Sequence, residues 1–129
     1  MTWPAVLAAF LVCHLSGDFL LQTEWQALTK VQGLGTVEGR RALRNHAATY
    51  TLVFLPPLIW IASDRSVLGA IGVAALIAVP HVAIDDGRLV ARWMTIVKHA
   101  PRATPGLRLM VDQSFHIVCL LGAALVAAS

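Results

Sequence analysis

The stretch "VLGAIGVAALIAVPHVAI", residues 67–84, has His81 as its only polar side chain. An 18-residue helix of this kind rises about 27 Å, close to the ~30 Å hydrocarbon thickness of a bilayer. A helix on the surface of a soluble bundle would carry a polar stripe, and residues 70–79 offer none. The stretch therefore predicts a transmembrane helix.

Three further segments have the same character, at residues 3–22, 47–62 and 107–128. The second of these is the shortest and contains Pro56 and Pro57, which predict a kink. The chain has 129 residues, of which 57% are hydrophobic and only 13% charged, so it is too short and too apolar to bury its surface in a core of its own. We predict an all-α fold: a four-transmembrane-helix bundle in one integral membrane domain, residues 1–129, with the lipid bilayer as its main partner.

A short amphipathic helix is predicted between the third and fourth segments, beginning in "DDGRLVAR", residues 85–92. The spacing of its side chains predicts an interfacial helix with an apolar side directed inward and a basic side directed outward. The inward set is Leu89, Trp93, Ile96 and Val97, and the outward pair is Arg88 and Arg92.

Basic side chains are concentrated in two of the three connections. The link at residues 63–66 holds only Arg65, whereas the two long connections and their edges hold Lys30, Arg40, Arg41, Arg44, Arg88, Arg92, Lys98, Arg102 and Arg108. This asymmetry is typical of the positive-inside rule and places the long connections in the cytoplasm with both termini outside. With a net charge of +3, the protein is therefore expected to interact through these basic residues with anionic lipid headgroups and not with nucleic acid.

Three of the four segments carry a His and an Asp four residues apart. The pairs are His14 with Asp18, His81 with Asp85, and Asp112 with His116, and the remaining segment has His46 with Tyr50 four residues later. Residues at this spacing lie on one face of a helix. All of them fall in the half of the bundle that borders the basic connections, so we expect them to converge there.

Ionisable groups in hydrocarbon cost at least ~2.5–3.5 kcal/mol each, so they should face the bundle interior. Carboxylates and imidazoles that meet there need a cation or shared protons. Their nitrogen and oxygen donors suit a divalent transition metal, with zinc as the first choice and manganese or iron as alternatives. The predicted ligands are His14, Asp18, His46, His81, Asp85, Asp112 and His116. The simpler alternative is that the pairs only hold helices together by hydrogen bonds.

A metal site at this depth predicts a membrane-embedded hydrolase acting on a lipid or phosphate ester, with an anionic lipid as the candidate substrate. The candidate catalytic residues are Asp18, Asp112 and Tyr50, with one Asp or His as the general base and Tyr50 as the acid. The candidate substrate-binding residues are Gln22, Gln113, Arg44, Arg88 and Arg92. Gln113 is offset by about 100° from Asp112 and could instead bridge to a neighbouring helix.

Two other functions remain open at this point. An ion carrier or proton relay could use the same residues, although the outer half lacks polar residues to continue a path unless copies of the chain associate as a homo-oligomer. A haem-binding bundle could use His14 and His116, but haem does not require an Asp beside each His.

The motifs also carry a resemblance. The ordered set "HLSGDFLLQ" (14–22), "NHAATY" (45–50), "HVAID" (81–85) and "DQSFH" (112–116) resembles an uncharacterised "domain of unknown function" family of small bacterial and phage membrane proteins. That family has H-L-x2-D-F-x-L-Q, H-x3-D and D-Q-x2-H motifs, and often a Lys where this chain has Arg88. The resemblance spans nearly the whole chain and implies a multi-pass protein of the bacterial cytoplasmic membrane, with no established activity.

Overall fold

The computed structural model describes residues 1–102 and 104–129, and within them the fold is all-α, as predicted. Its helices, in chain order, are α1 (Trp3–Leu15), a π-helical turn (Ser16–Leu20), α2 (Glu24–Lys30), a 3-10 turn (Gly33–Gly35), α3 (Val37–Val53), α4 (Leu55–Asp64), α5 (Val67–Asp85), α6 (Arg88–Ile96) and α7 (Pro105–Ala128). Helix α7 packs against both α1 and α5, while α3 packs against α2 and α5.

Three helical stretches are long and apolar enough to cross a membrane: Trp3–Leu20, Val67–Asp85 and Pro105–Ala128. Helices α3 and α4 make a fourth if they count as one span, because they are bent by 49° at Phe54. The prolines that follow this break explain the bend, and the predicted kink is confirmed. The described residues therefore contain three to four candidate spans.

Some helices begin at residues other than those predicted, because polar side chains cap their N-termini. Helix α3 begins ten residues before the predicted boundary at 47, because the Thr36 hydroxyl caps it by accepting a hydrogen bond from the Gly39 amide at 2.9 Å. Helix α2 was not predicted from the sequence. Its N-terminus is a capping box, in which Thr23 and Gln26 bond each other's backbone amides at 3.3 and 2.9 Å.

Helix α6 confirms the predicted short helix between α5 and α7. The residues predicted to face inward are not the ones that pack against the rest of the protein. Val90 and Met94 are the buried residues and pack with Ile84 and Val111. The predicted inward residues Leu89, Trp93, Ile96 and Val97 are all at least 39% exposed. The helix has apolar side chains on two adjoining sides. The position of its basic side therefore did not determine which apolar side packs against the protein.

The bundle has an apolar end and a polar end. The apolar core includes Val6, Phe10, Phe54, Ile61 and Leu120. At this end the terminal amine of Met1 pairs with Asp64 at 3.3 Å, and Arg65 donates to the carbonyls of Ala128, at 2.8 Å, and Ser129. Both chain ends and the 63–66 link thus lie together.

The buried polar residues lie toward the other end, where α2, α6 and the long connections are found. Along α5 the buried order is Ile77, His81, Ile84, and His81 thus separates the main apolar core from a smaller cluster that contains Ile84. The His and Asp residues thus lie at the end of the bundle that borders the basic connections, as predicted.

Candidate metal centre

Four helical stretches deliver the predicted ligand residues to one place. His14 and Asp18 come from α1 and the π-helical turn, His46 from α3, His81 and Asp85 from α5, and Asp112 and His116 from α7. The four histidines are at most 2% exposed, Asp18 and Asp85 are buried, and only Asp112 is half-buried. The i, i+4 spacing therefore identified a real cluster.

The π-helical turn allows close packing where Asp18 enters the cluster. The Ser16 hydroxyl donates to the Val12 carbonyl at 2.8 Å, a local bond that competes with the helix ladder. Gly17 lies so close to Tyr50 that an added Cβ would come within 2.7 Å of the tyrosine ring. A glycine at 17 thus permits the contact between α1 and α3 that brings Asp18 near His46.

Three ligand atoms form an equilateral triangle at the centre of the cluster. The Nε2 atoms of His46 and His81 lie 3.1 Å apart, and each lies 3.1 Å from Oδ2 of Asp85. Oδ1 of Asp18 adds a fourth atom, 3.2 Å from His46 Nε2 and 4.0 Å from His81 Nε2. Ligands on a tetrahedral ion with bonds of ~2.0 Å are about 3.3 Å apart, so the three atoms of the triangle are close enough to share a metal ion.

Packing fixes the orientation of one of these rings. The imidazole of His81 stacks on the phenol ring of Tyr50, with centroids 3.5 Å apart and an angle of 11° between the planes. Tyr50 is itself only 1% exposed. The Nε2 atom of His81 is therefore held toward Asp85 by ring packing, since its Nδ1 has no hydrogen-bond partner among the described residues.

His116 and Asp85 place two buried acceptors face to face. Nδ1 of His116 donates a hydrogen bond to the backbone carbonyl of Asp112 at 3.0 Å, which leaves a lone pair on Nε2 of the neutral ring. That Nε2 points at Oδ1 of Asp85, 3.6 Å away, and neither atom has a hydrogen-bond partner among the described residues. Two such acceptors repel each other unless a cation, or a proton on His116, lies between them.

His14 has different surroundings, because both of its nitrogens are used. The amide nitrogen of Gln113 donates to Asp18 Oδ2 at 3.3 Å and to Asp112 Oδ2 at 3.2 Å, since carboxylates only accept. The amide oxygen of Gln113 therefore faces His14 and accepts from its Nε2 at 2.8 Å. The hydroxyl of Tyr50 then donates to Nδ1 of His14 at 3.0 Å. Gln113 bridges α7 to α1, as the sequence suggested.

Three sets of residues bring their ligand atoms close enough to share a metal ion. They are His46, His81 and Asp85; Asp18, His81 and His116; and Asp85, Asp112 and His116. Every predicted ligand except His14 belongs to at least one set within the described residues. The donor chemistry of these sets fits a divalent transition metal.

Lys30 contacts the cluster, although the sequence did not predict it there. Its ammonium group donates to Asp85 Oδ2 at 2.8 Å, and its side chain is only 12% exposed. Gln22, with its amide nitrogen toward the Asp18 carbonyl, accepts from Lys30 at 2.7 Å. The available signal was the Thr23–Gln26 capping box, which turns residues 24–30 into a helix that carries Lys30 back to the bundle.

The charges of the cluster do not balance. Asp18, Asp85 and Asp112, counted as ionised, carry three negative charges against one positive charge on Lys30. Two negative charges remain in a buried setting, where an uncompensated charge is costly. One divalent cation, or two protons shared among the histidines and Asp112, would neutralise them.

The predicted arginines lie elsewhere. Arg44 and Arg92 are exposed and do not line the cavity beside the cluster. Arg88 hydrogen-bonds Asp86, and this contact holds the pKa of the Asp86 carboxyl below its usual value. The ionised Asp86 accepts from the Leu34 amide at 2.7 Å and so fastens the 3-10 turn beside the site.

A cavity of about 260 Å³ opens onto the cluster between the π-helical turn, α2 and the first turns of α7. Asp18, Asp112, Gln22 and Gln113 line it, whereas Tyr50 does not. Its two basic side chains are Lys30 and Arg108. The candidate catalytic carboxylates thus face an open space, and the candidate acid Tyr50 lies behind them.

Comparison with known proteins identifies the family. A family model described as "Protein of unknown function (DUF3307)" matches residues 6–129, so the chain belongs to that family. The resemblance to a family of unknown function is confirmed. No curated protein and no solved structure matches the chain.

Proposed function

We propose that this member of the family is an integral membrane protein that holds a divalent transition metal, with zinc as the first choice, and hydrolyses a lipid or phosphate ester at the cytoplasmic leaflet. The observation that carries the proposal is the triangle of His46 Nε2, His81 Nε2 and Asp85 Oδ2 with edges of 3.1 Å. These edges fit a tetrahedral ion, and Asp18 Oδ1 is the proposed fourth donor, 3.2 Å from His46 Nε2 and 4.0 Å from His81 Nε2.

The unbalanced charge supports the same assignment. Buried carboxylates are stable when a cation compensates them, and Lys30 alone leaves two negative charges. His14, Gln113 and Tyr50 form a hydrogen-bonded support that orients Asp18 and Asp112, in the way that residues around metal ligands do in other sites. His14 is therefore assigned as a positioning residue and not as a ligand.

The cavity supports hydrolysis over simple metal storage. When bound, the metal would polarise the ester and make a water a stronger nucleophile. Asp112 is half-buried and lines the cavity, so it is the carboxylate placed to take a proton from that water. The water oxygen bonds to the phosphorus or acyl carbon, the ester bond to the alcohol breaks, and Asp112 returns the proton to the leaving alkoxide.

The alternatives have less support. An ion carrier needs a polar path, and the described residues that fill the terminal end of the bundle, such as Phe10, Phe54 and Leu120, are apolar. Haem ligation by His14 and His116 needs a macrocycle between their nitrogens. Their rings instead stack with centroids 5.1 Å apart and planes 26° apart, and His14 already bonds Tyr50 and Gln113.

The first test is metal content. Detergent-purified wild type should carry close to one transition-metal ion per chain by elemental analysis. Asp18→Asn keeps the size and removes the charge, and it should weaken metal affinity by about 10–100-fold or more. Asp64→Asn is the matched control, because Asp64 pairs with Met1 at the far end.

The outcomes separate the metal site from a purely structural cluster. Wild-type metal content in Asp64→Asn with loss in Asp18→Asn supports the proposal. No metal in the wild type, or equal content in both aspartate variants, contradicts it. Hydrolysis of a phosphate ester in mixed micelles should stop on chelation and return when zinc is added.

A further inference from the structure

We infer that the cavity beside the metal centre binds the anionic head of a lipid phosphate ester, with Lys30 and Arg108 on the phosphate and the lipid tail leaving past Phe19 and Leu109. The inference deepens the proposed function and rests on it, because it names the substrate class of that site. It also replaces Arg44, Arg88 and Arg92 as the predicted contacts to the substrate.

The position of the cavity ties any ligand in it to the cluster. Asp18, Asp112 and Gln113 form part of its wall, and Gln113 hydrogen-bonds both carboxylates. A phosphate held in this space would therefore lie beside the groups that are proposed to act on it.

The basic side chains of the cavity are held in different ways. Lys30 is largely buried and is fixed by its bonds to Asp85 and Gln22. Arg108 is exposed, and its guanidinium donates to the Gly87 carbonyl at 3.5 Å, a contact that uses one of its five N–H donors. An ammonium and a guanidinium at one small cavity offer N–H donors to the acceptor oxygens of a phosphate, and the charge of Arg108 is not among those already counted against the aspartates.

The remaining wall is apolar and open. Phe19 is 52% exposed and Leu109 is 48% exposed, and Val31 and Pro105 continue the same lining. Exposed apolar side chains at a candidate span contact lipid when the span crosses a membrane. The cavity thus has a cationic part and an apolar part, as the binding of an amphipathic anion requires.

Size excludes burial of a whole lipid. The volume of about 260 Å³ is slightly below the ~300–1,000 Å³ of ordinary small-molecule pockets. It can hold a phosphate and a few carbon atoms, but not an acyl chain. The tail must stay in the bilayer, and the apolar wall at Phe19 and Leu109 is the exit that the cavity provides.

The test measures by calorimetry the binding of three probes to the protein in detergent micelles with zinc in the buffer. The probes are dodecyl phosphate, inorganic phosphate and dodecanol. We expect dodecyl phosphate to bind at least about tenfold more tightly than either of the others. Arg108→Gln should weaken dodecyl phosphate binding by about tenfold or more, and Arg108→Lys should restore part of it. Lys98→Gln, an exposed charge removal away from the cavity, should change it less than about twofold.

A second variant tests the tail. Leu109→Ala should weaken dodecyl phosphate binding and leave inorganic phosphate binding unchanged. Equal affinity for dodecyl and inorganic phosphate would overturn the lipid assignment in favour of a soluble phosphate ester. Equal effects of Arg108→Gln and Lys98→Gln would overturn the assignment of Arg108.

Metal content, measured on the same samples, separates this inference from the proposed function. A wild type without metal contradicts the metal centre, yet the comparison between Arg108→Gln and Lys98→Gln still reports on the anion site, because neither residue is a metal ligand. Metal-loaded protein with no selectivity for dodecyl phosphate contradicts only the inference.

Discussion

The sequence makes His14 and His46 equally good candidates for metal ligands, but the structure gives their nitrogens different partners. Each lies in a helix four residues before a polar side chain, and each is buried beside Tyr50. Both nitrogens of His14 form hydrogen bonds, whereas Nε2 of His46 faces Asp18 and Asp85. Spacing within one helix could not distinguish them, because the difference depends on which residues of other helices come opposite.

This difference predicts opposite results for one substitution at two positions. His46→Gln removes a proposed ligand and should lower zinc affinity by at least about tenfold, whereas His14→Gln should retain stoichiometric zinc because only hydrogen bonds to Gln113 and Tyr50 are changed. Competition with a chromophoric chelator measures both, and His99→Gln, in an exposed connection, is the control. Equal loss of zinc in the His14 and His46 variants would show that His14 is a ligand.

At the scale of the element, the π-helical turn depends on the absence of a side chain at Gly17. A Cβ there would lie 2.7 Å from the Tyr50 ring, so Gly17→Ala should push α1 from α3 and destabilise the protein by about 1–3 kcal/mol. Gly72→Ala in α5 is the matched control, because nothing lies within 4 Å of its added Cβ. Thermal unfolding in detergent should show a lower midpoint for Gly17→Ala only. A Gly17→Ala midpoint equal to that of Gly72→Ala would mean that the contact with Tyr50 is not tight.

Helical period and hydrophobicity predicted much of the fold, and their limits are also visible in single elements. The spacing of His81 and Asp85 correctly placed both on the buried face of α5, since a straight helix fixes that face by itself. Helix α2 was missed because it is short and polar, and Lys30 was taken as a surface charge although it bonds Asp85. The buried face of α6 was wrong because only the docking of a neighbouring helix chooses between two apolar sides.

At the scale of the whole molecule, the ends of the bundle are chemically different, and this difference predicts its orientation. Both chain ends lie with the 63–66 link at one end, and most of the basic residues lie in the other connections. In intact cells a membrane-impermeant thiol reagent should label Ser63→Cys and should label Lys98→Cys only after permeabilisation. The unmodified chain gives the background from Cys13 and Cys119. Labelling of Lys98→Cys in intact cells would show that the orientation is the opposite of the predicted one.

The apolar core between the cluster and the chain ends has an electrical consequence once the bundle spans a membrane. A transmembrane voltage falls mostly across low-dielectric material, and here that material is the layer around Phe10, Phe54 and Leu120. In the predicted orientation the cluster lies on the cytoplasmic side of this layer, beside the cavity that Asp18 and Asp112 line. An ion that moved through the full voltage would gain or lose about 2.3 kcal/mol per charge for every 100 mV. In the predicted orientation an ion that enters from the cytoplasm would cross little of that field. We therefore expect metal binding at the proposed centre to depend on the cytoplasmic metal concentration and to respond little to changes in membrane potential.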